Sequence, residues 1–222
     1  MTTPPGILYL MPNALDFGTA EATADLAERL PLGALRIAAG LGHWVCENAK
    51  TTRAFLKRVD ATCPLALALQ EISIVELPRP PKGRTEPAPP DVGRMLAPAL
   101  AGHDLGLLSE AGLPAVADPG ALLVAAAHAA RLRVVALPGA SSISLAVAAS
   151  GLNGQSFAFV GYLPIEADAR SARIRELEAV SRRERQTQVT IETPYRNAAL
   201  LAALVVQLQP TTTLSVSIGL TL

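Results

Sequence analysis

Over roughly the first 140 residues, short apolar runs alternate with stretches whose apolar positions recur at helical spacing. The runs are GILYLM (6–11), HWVCEN (43–48), LALALQ (65–70), LGLLSE (105–110) and RVVALPG (133–139). Between them lie TAEATADLAERL (19–30), AKTTRAFLKRV (49–59), DVGRMLAPAL (91–100) and ALLVAAAHAARL (121–132). In 49–59, Ala54, Phe55, Leu56 and Val59 gather toward one side, with Arg53, Lys57 and Arg58 toward another. That is the pattern of a helix with one covered face. Strands alternating with helices imply right-handed crossovers and a mainly parallel sheet. Runs that are apolar on both faces suit strands covered on each side. The pattern therefore predicts an α/β domain over residues 1–138.

After Pro138 the rhythm changes. GASSISLAVAASGL (139–152) has helical character, with Gly and Ser at its start. It is followed by a strand-like SFAFVGYLP (156–164), an Arg-rich helix (169–183), QVTIET (188–193), RNAALLAALVVQL (196–208) and TTLSVSIGL (212–220). A second α/β unit with a mixed sheet is expected over 139–222. The sequence stops right after a predicted strand, and an uncovered edge strand is something proteins usually avoid, so a further C-terminal piece is expected. The Pro-rich 77–90 (LPRPPKGRTEPAPP) favours extended chain over a regular ladder. It is expected to be a surface loop, with a lid over a substrate as the alternative.

Composition narrows the function. The chain has 222 residues, enough to bury a real core, with 19 Lys plus Arg balanced by 19 Asp plus Glu. No global charge recruits nucleic acid or an anionic membrane, so any such partner needs a local patch. Cys46 and Cys63 have no metal-ligand spacing and no disulfide-framework density. No apolar run approaches a membrane span, and the first ten residues lack the features of a signal peptide. These features predict a soluble, cytoplasmic protein without metal or membrane.

Several familiar chemistries fail on spelling. In GLGHWV, Val45 stands where a dinucleotide fingerprint needs its third Gly, and a strand follows rather than a helix. No phosphate-binding GxxxxGK[ST] loop occurs, and His43, His103 and His128 form no ligand pair. GASSI (139–143) has Ile143 where a nucleophile elbow needs Gly. What remains is a set of Gly-, Pro- and Ser-rich strand exits at 11–18, 109–120 and 138–142. In a parallel sheet all of these fall at the carboxyl edge, where open α/β sheets bind ligands at the reversal of strand order. SEAGLPAVADPG (109–120) is longer than the few residues a plain connector needs. It is expected to be a ligand cradle whose backbone groups meet a polar, planar ligand.

These elements resemble, in order, the tetrapyrrole methylase superfamily of S-adenosylmethionine-dependent methyltransferases, and within it the 16S rRNA cytidine-2′-O-methyltransferase branch. The branch reads strand, S-D-A-G-T-P, D-P-G, helix, V-x-P-L-P-G-P, helix and G-F-L-P. Here the corresponding stretch is LLSEAGLPAVADPG, helix, VVALPGAS, helix and FVGYLP, with IETPYR echoing a later Y-E-S-x-x-R. The match is close over 105–197 and loose elsewhere.

The resemblance implies two α/β domains with the cofactor, S-adenosyl-L-methionine, between them, in a homodimer. It places Ala111, Gly112, Leu113 and Val116 against the cofactor in the cradle, and Ser141 and Ser142 at the following helix. Tyr162, Leu163 and Glu192 are weaker correspondences near the cofactor tail or adenine. Of the first strand exit, LMPNALDFG, only Pro12 transfers. The branch's E-D-T-R is replaced by Glu47, Asn48, Ala49 and Lys50, then Arg53, its H-D-H-N loop is missing, and the cradle acid is Glu110.

Methyl transfer from a sulfonium is an in-line displacement, governed by near-attack geometry. A hydroxyl acceptor also needs a base or a positioned water. Glu47, Lys50 and Arg53 are the candidates on the acceptor side, with Lys50 suited to base chemistry only if burial lowers its pKa. Each has an ordinary structural alternative. Glu47 can complement a helix dipole, Lys50 and Arg53 can be solvated face, Asp118 can form a turn or cap, and the two serines can cap their helix. The Arg-rich 170–185 offers an RNA-binding face, or an ordinary amphipathic helix with Glu176, Glu178 and Glu184 interleaved. Three readings stay open: a methyltransferase acting on RNA, at a ribose 2′-hydroxyl, or on a nucleoside-like acceptor; the same chemistry on a tetrapyrrole or small metabolite; and a cofactor-binding relative without catalysis.

Overall fold

A computed structural model describes residues 4–15, 25–78 and 91–221. The chain divides into two compact units, Met1–Ser141 with Thr221–Leu222, and Ser142–Leu220.

The first unit holds strands β1 (Ile7–Met11), β2 (His43–Cys46), β3 (Ser73–Glu76), β4 (Leu105–Leu108) and β5 (Arg133–Ala136), with helices α1 (Leu32–Gly40), α2 (Ala49–Thr62), α3 (Val92–Leu100) and α4 (Ala121–Ala129). The five strands form one sheet in the order β3-β2-β4-β1-β5, and every pairing is parallel. All four residues of β4, at the centre, are buried.

Side chains alternate between two cores, as the two-residue period of a strand requires. Met11, Trp44, Cys46 and Leu108 join α1 and α2 residues such as Leu35, Phe55, Leu56 and Val59 on one face. Leu8, Val45, Leu105 and Leu107 join Met95, Leu96, Leu123 and Ala127 of α3 and α4 on the other. Gly106 interrupts the apolar run of β4 for a reason of space: a Cβ there would lie 2.6 Å from Trp44 Cε3. The Trp44 indole fills that gap, meets Phe55 edge-on at 6.3 Å and donates from Nε1 to the Leu41 carbonyl at 3.3 Å.

The strand order fixes the position of the crevice. From β1 the chain crosses to β2 on one side, and from β4 it crosses past β1 to β5 on the other. The connections leaving the neighbours β1 and β4 therefore run in opposite directions and onto opposite faces of the sheet, with α1 on one face and α4 on the other. This is the topological switch point at which open sheets bind ligands.

Two expectations in this unit are corrected. LALALQ (65–70) forms bends and a turn, and the third strand is Ser73–Glu76. Leu65 and Leu69 pack on the first core from outside the sheet, while the ladder with β2 is taken by the more polar segment. That segment lies at the sheet edge, so it needs less apolar character than a central strand. Residues 32–40, assigned to no element from the sequence, form α1. The helix expected at 19–30 is described only from residue 25, where a single 3₁₀ turn spans Leu26–Glu28. Of the Pro-rich stretch, 79–90 lie outside the described residues.

The second unit contains α5 (Ser142–Ser150), β6 (Phe157–Phe159), α6 (Ala167–Glu184), β7 (Thr187–Val189) and α7 (Asn197–Gln207). Leu163, Ile174, Leu177 and Leu200 form its core. The pairing of β6 with β7 is parallel, as the intervening helix α6 dictates. A mixed sheet was expected, and the missing ingredient is a paired antiparallel strand. Residues 212–218 carry no ladder among the described residues.

Candidate functional site

The exits of β1, β4 and β5 meet at the switch point. The parallel ladder between β1 and β4 ends at Met11↔Leu108. Beyond it the two chains turn and meet again in an isolated antiparallel bridge, Asn13↔Gly112. Asn13 N–H donates to the Gly112 carbonyl at 2.8 Å and Gly112 N–H to the Asn13 carbonyl at 3.1 Å. The Asn13 side chain reaches further, donating from Nδ2 to the carbonyls of Ser109 at 3.1 Å and Glu110 at 3.0 Å.

Gly112 has φ +69°, a conformation that favours glycine; a Cβ on it would sit 3.4 Å from Leu15 Cδ2. At the β5 exit, a Cβ on Gly139 would lie 2.3 Å from Pro12 Cβ. Glycine at 139 thus lets the β5 exit close onto Pro12. Ala115 and Ala117, on either side of the exposed Val116, also have positive φ, 64° and 65°. Non-glycine residues held there cost about 1–3 kcal/mol each and gather at functional sites. Among the described residues, nothing accepts from the N–H groups of Ala111 or Leu113.

Asp118 does not cap α4, whose N-cap position is Gly120. Burial pushes the Asp118 carboxyl above its ordinary range; the Ser109 hydroxyl pulls the other way and Glu110 adds to the rise.

The β2 exit borders this cradle. The Glu110 N–H donates to Glu47 Oε1 at 3.2 Å, and the Thr51 hydroxyl donates to Glu110 Oε1 at 2.7 Å. Asn48 caps α2, its Oδ1 accepting from Lys50 N–H at 2.9 Å and Thr51 N–H at 3.5 Å. Glu76, at the end of β3, accepts from Ala49 N–H at 2.6 Å. Lys50 is exposed on the first turn, and exposed Arg53 donates back to the Ala49 carbonyl at 3.3 Å. Glu47 is thus brought to the cradle, while Lys50 and Arg53 lie on the solvated side of the helix start.

Ser141 closes the first unit and Ser142 opens α5 in the second. Within the second unit, Arg196 draws three sequence-selected segments together. Its Nη2 donates to the Leu163 carbonyl at 2.9 Å and lies 3.0 Å from Glu192 Oε2. Glu192 also accepts from Thr193 N–H at 2.8 Å. Tyr162 is half exposed. Sequence reasoning missed Asn13 and Thr51. Asn after Pro at a strand exit signals a turn, but nothing local names partners nearly a hundred residues away.

Among the described residues, no group of three or more His, Cys, Asp or Glu is placed to hold a metal ion, and no helix is long and apolar enough to cross a membrane.

The comparisons with known proteins agree with this architecture. The family profile of the tetrapyrrole (corrin/porphyrin) methylases matches residues 26–218. Curated relatives named ribosomal RNA small subunit methyltransferase I include that of Streptococcus pyogenes serotype M6, 33% identical over 195 residues, covering 86% of this chain and 57% of the relative. That of Xylella fastidiosa is 39% identical over 111 residues, covering 50% of this chain and 39% of the relative. That of Mycobacterium tuberculosis is 42% identical over 102 residues, covering 46% and 34%. In each case the match takes in less than two thirds of the relative's own length. With most of its length matched by the family profile and with the family's motifs at its strand exits, the chain belongs to the tetrapyrrole methylases.

Proposed function

We propose that this protein is an S-adenosylmethionine-dependent methyltransferase acting on RNA, at a ribose 2′-hydroxyl, or on a nucleoside-like acceptor. The observation that carries this reading is the cradle at the β1/β4 switch point, closed by the Asn13–Gly112 bridge, in a chain whose relatives are named as ribosomal RNA methyltransferases.

The cradle fits the cofactor on its own chemistry. Gly112 holds a positive φ of 69°, which side-chain-bearing residues rarely adopt, and the N–H groups beside it face no protein acceptor among the described residues. Bound there, S-adenosylmethionine would supply an electrophilic methyl group. Pro12, Ala111, Gly112, Leu113 and Val116 would hold it at the cradle; Ser141, Ser142, Tyr162, Leu163 and Glu192 are assigned to the cofactor by the family resemblance alone. Glu47 is assigned to the acceptor side, where the Glu110 N–H fixes its carboxylate. Exposed Lys50 and Arg53 are assigned to the acceptor's phosphates, which a guanidinium can hold in bidentate fashion.

A smaller acceptor, a tetrapyrrole or metabolite, is favoured by one observation on α6. Its arginines are engaged locally: Arg173 with Glu176 at 2.7 Å, Arg182 with Glu178 at 3.3 Å, Arg183 with Glu184 at 2.7 Å and Arg170 with the Ile165 carbonyl at 2.7 Å. An RNA face there must compete with these contacts.

The test is calorimetric titration of the full chain with S-adenosylmethionine and S-adenosylhomocysteine, with Gly112→Arg as control. It is followed by transfer of labelled methyl to undermethylated ribosomal RNA. Binding lost in the variant, and labelling of the RNA, are expected. Absence of binding by the wild-type chain overturns the methyltransferase reading; binding with label only on small molecules moves the acceptor to the second class.

A further inference from the structure

We infer that Asn13 is the positioning residue of the cofactor cradle: a single side chain that sets the shape of residues 109–112 after the sheet can no longer do so. The inference rests on the reading of that cradle as the cofactor site.

Between the last ladder pair, Met11↔Leu108, and the bridge Asn13↔Gly112, the β1 side has one residue, Pro12. The β4 side has three: Ser109, Glu110 and Ala111. The β4 exit must therefore bulge, and a bulge beyond a ladder has backbone groups without strand partners. Pro12 cannot help, because it has no N–H. Asn13 supplies the partners. Its Nδ2 serves the carbonyls of Ser109 and Glu110, and its own N–H and carbonyl engage Gly112. Its Oδ1 accepts from Ala14 N–H at 2.9 Å, which leaves the amide only one sensible orientation. A flipped amide would set Oδ1 against two carbonyl oxygens. Glu110 N–H is held from the opposite side by Glu47. Five hydrogen bonds thus hold the bulge and its closing bridge, and the N–H groups of Ala111 and Leu113, which meet no acceptor among the described residues, are left to meet a ligand.

The chemistry requires asparagine. Aspartate keeps the size and the acceptor for Ala14 N–H but replaces the Nδ2 donor with an anionic oxygen facing two carbonyls. Asn13→Asp therefore removes the Nδ2 donor and adds a charge in its place, and Asn13→Ala removes the side-chain contacts without adding one, a milder second variant if the first folds poorly.

Two measurements on the full chain separate the possibilities. Amide hydrogen exchange of the cofactor-free protein is expected to quicken at residues 109–113 in both variants, with β2 and β3 unchanged. Titration with S-adenosylmethionine is expected to show affinity weakened about tenfold or more, the scale of losing hydrogen bonds to otherwise unpaired carbonyls. Unchanged exchange at 109–113 overturns the assigned contacts. Quickened exchange with wild-type affinity, or a lowered unfolding midpoint with wild-type affinity, overturns the positioning role and leaves Asn13 a structural residue. A wild-type chain that does not bind S-adenosylmethionine while the exchange effect persists removes the cofactor reading itself, and the role of Asn13 toward it.

Discussion

The hydroxyl of Thr51 donates to Glu110 Oε1 across 2.7 Å, joining the first turn of α2 to the exit of β4. The two residues are 59 positions apart in the chain. The same oxygen-rich neighbourhood receives Glu110 N–H through Glu47 and Ala49 N–H through Glu76. The helix that carries Lys50 and Arg53 is thereby held to the loop assigned to the cofactor.

Thr51→Val removes the hydroxyl and keeps the branched shape. Thr51 is exposed, so the hydrogen bond contributes only about 1 kcal/mol or less to stability. The expected result is a small loss in unfolding midpoint, unchanged S-adenosylmethionine affinity and a several-fold drop in methyl transfer to undermethylated ribosomal RNA. Equal losses in affinity and transfer would show that the contact serves the cofactor rather than the acceptor side.

Gly139→Ala places a methyl group 2.3 Å from Pro12 Cβ and 2.4 Å from its Cγ. A proline ring cannot rotate away, so the two strand exits must separate. Overpacking of this kind costs about 1–3 kcal/mol. Urea unfolding and cofactor titration are expected to show both the destabilisation and weakened binding. A fully stable variant would mean that the β5 exit moves freely relative to Pro12.

Asp118 gives a pH-dependent prediction. Burial raises its carboxyl above the ordinary range, so ionisation is less favourable folded than unfolded. The penalty is present above the folded-state pKa and vanishes below the unfolded value of about 3.9. Asp118→Asn, which cannot ionise, is expected to raise the unfolding midpoint at pH 7, with the gain fading as pH falls toward that value. A gain independent of pH would point to packing instead.

Glu178 has the opposite sign. The Thr212 hydroxyl and then the Gln209 N–H, with Arg182 nearby, hold its carboxyl below the ordinary range against the opposing effect of burial. Its stabilisation is present above the unfolded value of about 4.3 and is lost as pH falls through the folded-state pKa. Glu178→Gln is expected to be less stable than wild type at pH 7, with the two curves converging under acid conditions. Parallel curves down to the acid limit would remove this ionisation from the fold's energetics.

The sequence by itself determined the alternation of strands and helices, the two-faced burial of β4 and the chemistry of the strand exits. These follow from local causes: apolar spacing and the special backbones of Gly and Pro. It did not place β3, because LALALQ is more apolar than the Ser73–Glu76 segment that takes the ladder, and edge strands need little apolar character. Nor did it reveal α1 or the parallel pairing of β6 with β7. Only the tertiary structure decided that β1 and β4 are neighbours, that their connections leave to opposite faces of the sheet, and that Asn13 therefore faces Ser109, Glu110 and Gly112. Those contacts depend on the order of strands across the sheet, a property of the whole chain's crossovers that no short stretch encodes.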